Sequence, residues 1–171
     1  DMLLSHRSGM FRGIPQYEEI AQAMESASGV IEKRAVVSAH LLLKSPEFKP
    51  DTKDSYSNVA YVVAAHVLER ITKRSWEELI TDKIFSKLSM KSCGFGPLGN
   101  ISESTPSAPI AHISKQGTLT PIFTDNSPIW GPAGRVHCNL VDWSKYLQAH
   151  LDGANGKDNL LKSESFIPLQ T

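Results

Sequence analysis

Tyr56-Ser57-Asn58-Val59-Ala60-Tyr61-Val62-Val63-Ala64-Ala65-His66-Val67-Leu68-Glu69-Arg70-Ile71 is the stretch whose reading decides the fold. Val59, Val62, Val63, Val67, Leu68 and Ile71 recur at helical spacing and predict a helix over 58–71 with a broad apolar face suited to burial. A charged loop, Lys44 to Ser55 with Pro46 and Pro50, leads into it. At the mouth of such a helix a phenol and a carboxamide two residues apart can point into one cavity. The helix N-terminus is electropositive and its backbone donors are free. A tyrosine there, with a cationic neighbour, would have its phenolate favoured. It could then shuttle a proton to or from a serine nucleophile or leaving group. The Asn58 amide could both accept from and donate to the amide or ester flank of a substrate. The plainer alternative is structural: Ser57 or Asn58 caps the helix and Tyr56 packs beneath it.

Toward the N-terminus, Leu3 to His6 reads as the end of a short helix stopped at Ser8-Gly9. A loop through Gly13-Ile14-Pro15 follows, then helices over 17–24 and 36–43. Toward the C-terminus, Ser75 and Glu78 form a capping-box pattern ahead of a second amphipathic helix carrying Trp76, Leu79, Ile80, Ile84, Phe85 and Leu88. Lys91 to Phe95 can form a short strand. Gly96 to Pro109 is a loop rich in Gly, Pro and Ser. Ala111 to Phe123 suggests a hairpin around Lys115-Gln116-Gly117. Pro128 to Gly134 is a rigid turn, and 140–151 a helix with Asn139 or Asp142 at its cap and Gly153 just past its end. A last short helix is expected over 163–170. The outcome is a mainly helical piece with long ordered loops and few strands.

The chain has 171 residues, enough for one domain with a core. Lys plus Arg and Asp plus Glu are 18 each, so the formal net charge is zero. That balance gives no electrostatic reason to expect nucleic acid or an anionic membrane as partner. No apolar run reaches the length of a membrane span. Cys93 and Cys138 make neither a disulfide framework nor a metal site; they could bridge if the fold brought them together, but are expected as two buried thiols. Asp1 does not look like a natural start, and the chain reads as though cut from something longer, so the lack of a signal peptide says little.

Several blocks, in order, carry a resemblance to a known family. Asp1-Met2-Leu3-Leu4-Ser5-His6-Arg7-Ser8-Gly9-Met10 is similar to D-L-L-T-H-T-S-G-L of the class C β-lactamase-related serine hydrolases. These include penicillin-binding proteins, D-Ala-D-Ala carboxypeptidases and esterases. Tyr56-Ser57-Asn58 with Tyr61 and Leu68-Glu69-Arg70-Ile71-Thr72 resembles Y-S-N-x-G-Y…E-x-x-T-G, and Pro50-Asp51 stands where Pro-Gly is common. Gly131-Pro132-Ala133-Gly134, Asp142 and Leu147 resemble P-A-G-G-L…D-L-x-x-F. Leu160 to Thr171 resembles L-L-S-x-E-S…M-x-T. The resemblance implies an α+β β-lactamase/transpeptidase-like parent fold, with residues 1–171 as one partial domain, its helical middle section. It implies acyl transfer through a serine ester to an amide, β-lactam or ester substrate, with Tyr56 as catalytic proton carrier, Asn58 as substrate holder and no cofactor or metal. The remainder of the parent fold would be a partner. Export to the periplasm or outside the cell is favoured by the resemblance alone.

The departures matter. The nucleophile's Ser-x-x-Lys is absent from residues 1–171. Lys115-Gln116-Gly117 imitates the family's late Lys-Thr-Gly but lies too soon after Asn58 and is set aside. Ala60 and Arg135 replace usual glycines. Arg135 could narrow or charge a pocket rim, but is expected as a solvated loop arginine. His6 belongs to a structural turn. His40 and His66 are expected as packed or surface residues, and His112, His137 and His150 lack metal-ligand spacing. No His-Glu-x-x-His, Gly-x-Ser-x-Gly or phosphate loop is present. Two rivals stand beside the hydrolase reading: a binding protein keeping the scaffold without its nucleophile, and an all-helical interaction domain.

Overall fold

The computed structural model describes residues 1–98 and 108–170. A 3₁₀ turn (Tyr17–Glu19) leads into α1 (Ala21–Ser26), and α2 (Val30–Leu42) and α3 (Asn58–Thr72) follow. Helix α4 (Trp76–Ile80) continues as a π-helical turn (Thr81–Phe85). Then come β1 (Gly94–Phe95), β2 (Ala111–Lys115) and β3 (Thr118–Ile122). A 3₁₀ turn (Pro128–Trp130) runs into α5 (Gly131–Gly134), followed by β4 (Val136–His137) and α6 (Leu140–Ala154). The chain closes with a 3₁₀ turn (Ser163–Phe166) and α7 (Ile167–Gln170). Most of the loop expected from Gly96 to Pro109 lies outside the described residues.

Two compact units result: Asp1–Trp76 with Gly96–Arg135, and Glu77–Phe95 with Val136–Thr171. The first is built on α3. Val59, Val62 and Val63 meet Val37 and Leu41 of α2, Ile20, Met24 and Ile129 in one core. Each such side chain contributes about 1.5–3 kcal/mol on burial. Helix α2 begins six residues earlier than the apolar pattern suggests. Its entry is fixed by Glu32, whose carboxylate accepts from the Ser28 backbone N–H at 2.7 Å and from the Ser28 hydroxyl at 2.8 Å. The expected N-terminal helix is instead a set of hydrogen-bonded turns over residues 1–7.

A buried ion pair joins α2 to α3. Arg34 Nη1 donates to Glu69 Oε1 at 2.6 Å, and both side chains are fully buried. The same guanidinium donates to the carbonyls of Ile129 (3.2 Å) and Pro128 (2.8 Å), while Glu69 Oε1 also accepts from Trp76 N–H (3.0 Å). One charge cluster therefore fixes two helices and the turn that carries Trp130.

The expected hairpin forms, with β2 and β3 paired from Ala111↔Ile122 to Lys115↔Thr118. Gln116 and Gly117 both have positive φ (49° and 82°), as a tight primed turn requires. Lys115-Gln116-Gly117 is thus the hairpin corner.

In the second unit, β1 and β4 pair through Gly94↔His137 and Phe95↔Val136. Cys93 and Cys138, on the next rung, form a disulfide. This corrects the expectation of two buried thiols: strand pairing brings together cysteines that lie 45 residues apart in sequence. Gly153 is also placed differently. It lies inside the last turn of α6, and a Cβ there would fall 2.1 Å from the Phe166 ring. The glycine admits a fully packed aromatic ring against the helix backbone.

The N-terminus of α6 is set by Asn139, whose side chain accepts from Asp142 N–H. Asp142 in turn accepts from Lys145 Nζ and from both the backbone and hydroxyl of Ser92. The hydrogen bond from Lys145, with those from Ser92, holds the Asp142 carboxyl down at about 2. A depressed folded value means that this contribution is full above the ordinary carboxylate range and is lost as pH falls. Acid titration of the folded chain is therefore expected to show loss of stability between about pH 4 and pH 2. Asp142→Asn should flatten that limb in urea melts taken across the window. An unchanged limb would count against the network.

Among the described residues, no helix is long and apolar enough to cross a membrane. No group of three or more His, Cys, Asp or Glu among them is placed to hold a metal.

Candidate functional site

The entry to α3 is stitched to the first eleven residues. Ser57 is the N-cap: its hydroxyl accepts from Ala60 N–H at 3.1 Å and donates to the Phe11 carbonyl at 2.6 Å. Tyr61 donates its hydroxyl to the Leu4 carbonyl at 2.8 Å. The Ser57 backbone N–H donates to His6 Nδ1 at 3.2 Å, and Ser55 N–H donates to the His6 carbonyl at 2.8 Å.

The structural alternative for the tripeptide is therefore half realised. Ser57 caps the helix, but Tyr56 does not pack beneath it, because the residue is 55% exposed. Its ring meets the His6 imidazole, centroid to centroid, at 4.7 Å. Asn58 begins the helix half-buried and lines a cleft of about 150 Å³ together with Asn126, Trp130, Ala133 and Gly134. A phenol and a carboxamide thus stand at one helix entry, but Asn58 lines this cleft and Tyr56 does not.

The approach loop explains one departure from the family pattern. Asp51, where glycine is common, has φ 65°, in the left-handed region that aspartate tolerates better than most residues. Its N–H donates to the Arg7 carbonyl at 2.8 Å and its carboxylate pairs with Arg7 Nε at 2.8 Å. Gly9 (φ 74°) is demanded by space as well as conformation, since a Cβ there would lie 2.3 Å from the Phe48 carbonyl oxygen. Ala60, the other replacement of glycine ahead of the cleft, is wholly buried in α3.

Arg135 is not the solvated loop arginine expected. Its side chain is 13% exposed, and Nε donates to Asp125 Oδ2 at 3.1 Å. The other Asp125 oxygen accepts from Asn126 N–H at 2.7 Å. Asp125 thereby links Arg135 to the backbone of Asn126, which lines the same cleft as Asn58. Of the other histidines, His40 is buried with Nε2 against the Pro15 carbonyl at 2.7 Å, and burial holds His66 below its usual range.

Sequence reasoning missed Asn126 and Trp130 as cleft residues, and Arg34 as the group that fixes Trp130's turn. Glu69, a lone acid on an otherwise apolar face, was the one visible signal of that buried pair. A larger hollow of about 260 Å³, where Leu3, Leu4, Ala65, Leu68 and Trp76 meet, lacks the paired carboxamides.

Comparison with known proteins fits this arrangement. A family model described as Beta-lactamase matches residues 1–166. Penicillin-binding protein 4 of Amycolatopsis lactamdurans is 25% identical over 116 residues, which cover 64% of this chain and 29% of that protein. A penicillin binding protein of Bacillus halodurans superposes with a TM-score of 0.70 at 18% identity, over 99% of this chain and 49% of that one. A D-stereospecific amidohydrolase from Streptomyces sp. superposes at 0.68 and 20% identity, over 96% and 48%. The chain thus spans under a third of the curated relative and about half of these two structures. The fold is that of the β-lactamase/transpeptidase-like proteins, represented here mainly by its helical part with short strands and one hairpin.

Proposed function

The chain belongs to the beta-lactamase family, and from that premise we propose that it is one partial domain, the helical part of a serine acyl-transfer hydrolase. In this reading Tyr56 carries a proton between nucleophile and leaving group, and Asn58 holds the carbonyl flank of an amide, β-lactam or ester substrate. One observation carries it: Asn58 lines the cleft with Trp130, Ala133 and Gly134, while Tyr56 is exposed at the same helix entry. Two carboxamides beside an indole suit a substrate with an amide next to an apolar group. The names of the amidohydrolase and penicillin-binding relatives agree with such a substrate. The nucleophile and the rest of the cleft would come from a Ser-x-x-Lys outside residues 1–171, held in the remainder of the parent fold. No cofactor is required. The Cys93–Cys138 disulfide supports a periplasmic or secreted setting, because such bonds persist in oxidising compartments.

The test uses a fluorophosphonate probe and a fluorescent penicillin, with intact mass as readout. Residues 1–171 alone are expected to take up neither, and a stoichiometric adduct on any serine here would sink the assignment of an external nucleophile. In the complete protein, Tyr56→Phe is expected to slow acylation about 10²–10⁴-fold while leaving ligand binding nearly unchanged. Acylation unaffected by Tyr56→Phe would remove the proton-carrier role. The absence of Ser-x-x-Lys from these residues also favours a second reading, a binding protein on the same scaffold. That reading predicts no acylation even in the complete protein.

A further inference from the structure

We propose that His6 is a positioning residue for Tyr56, acting as a neutral imidazole that fixes the backbone on both sides of Tyr56 and walls its phenol ring. The proposal rests on the reading of Tyr56 as proton carrier and adds the group that holds it.

The geometry is a bracket. The His6 carbonyl accepts from Ser55 N–H at 2.8 Å, and its Nδ1 accepts from Ser57 N–H at 3.2 Å. One residue thus ties the residue before Tyr56 and the residue after it. Between these two ties the imidazole lies 4.7 Å from the Tyr56 ring and 5.4 Å from the Tyr61 ring, tilted by 43° and 48°. Tyr61 is itself anchored through its hydroxyl to the Leu4 carbonyl. The phenol of Tyr56 therefore has one fixed wall, and its exposed side is left open.

This arrangement specifies a protonation state. Nδ1 can accept from Ser57 only if it carries no hydrogen, so the ring proton sits on Nε2 and the imidazole is neutral. A doubly protonated ring would set one N–H against another. The backbone adds a second sign: His6 has φ 59°, a left-handed conformation that non-glycine residues rarely adopt. A simple turn would need only the carbonyl. The ring nitrogen and the ring face are what a positioning role requires beyond it.

Histidine and asparagine both tolerate this conformation, and asparagine Oδ1 lies near the place of Nδ1. His6→Asn therefore keeps the turn and the acceptor but removes the ring, whereas His6→Phe keeps a ring and removes the acceptor. The experiment reads residues 1–171 by NMR, with 3-fluorotyrosine at the four tyrosines and Tyr56→Phe to assign the Tyr56 signal. In the unsubstituted chain, long-range ¹⁵N–¹H correlation is expected to show Nδ1 as the unprotonated nitrogen. In His6→Asn the Tyr56 and Tyr61 fluorine signals should move toward that of the free amino acid, with Tyr17 and Tyr146 unmoved and Ser57 amide exchange nearly unchanged. In His6→Phe the Ser57 amide should exchange about tenfold faster, the worth of one neutral hydrogen bond. Protonated Nδ1, a stationary Tyr56 signal in His6→Asn, or unchanged Ser57 exchange in His6→Phe would each overturn the proposal. The tautomer is read without any substitution, so it decides even if a variant fails to fold. None of these readings involves acylation, so the failure of the hydrolase assignment would leave them intact, and their failure would leave that assignment standing.

Discussion

Glu69→Ala is expected to cost about 3–5 kcal/mol, because it removes one partner of a buried ion pair with the Arg34 guanidinium. Domain stabilities are typically ~5–15 kcal/mol, so this loss is a large part of the whole. The urea midpoint should fall accordingly with little change in slope. The effect should also reach the cleft, since Arg34 holds the Pro128 and Ile129 carbonyls and so the turn bearing Trp130. A shift in tryptophan emission should accompany the loss of stability. The double change Arg34→Met with Glu69→Leu removes both charges and should recover part of the loss, because an apolar pair can replace a buried ion pair. Recovery should be incomplete, since the two carbonyls lose their donors at about 1–3 kcal/mol for each left unsatisfied. A cost for Glu69→Ala no larger than that of an exposed ion pair, about 0–1 kcal/mol, would mean that the pair is not the clamp described.

Reduction of Cys93–Cys138 is expected to have the next largest effect. Cross-linking residues 45 apart removes loop freedom from the unfolded chain, worth about 4 kcal/mol in the chain-entropy treatment and typically 2–4 kcal/mol in practice. For a chain of this size that corresponds to a fall of about 5–15 °C in the thermal midpoint. Thermal melts with and without a phosphine reductant measure it. The double change Cys93→Ala with Cys138→Ala should melt at the lower temperature whether or not reductant is present. Two thiols titrating with Ellman's reagent in the unreduced, unfolded protein would show that the bridge does not form.

What could be read from the sequence follows from where the signal was local. Helix α3 was legible almost to the residue because six apolar positions repeat at one spacing, and Ser57 was named as one of two possible caps. The hairpin was legible because Gln116-Gly117 is turn chemistry between two runs of strand length. The first half of α2 was missed because Arg34, a charged residue, faces inward and breaks the apolar pattern. The disulfide stood only as the lesser alternative because two cysteines 45 residues apart give no local sign of their pairing. Gly153 looked like a helix stop, yet it is a contact residue for Phe166, which the local sequence could not reveal. The candidate site divides in the same way. Tyr56 and Asn58 stand together in sequence and could be singled out together. His6, Asn126 and Trp130 reach the same helix entry from about 50 residues before it and about 70 after it, and only the folded chain brings them there.

The β2–β3 ribbon has a practical consequence. Nine of its ten paired residues are solvent-exposed, Ile122 being the exception, and none belongs to the buried core. The bond between Gln116 and Gly117 is therefore a natural splice point for a reporter: a fluorescent tag or an affinity peptide grafted there would interrupt only a two-residue turn. Doubling the length of such a loop costs only about 0.6 kcal/mol in closure entropy. Cargo carried at that corner would follow the first unit without touching the bonds that set the α3 entry.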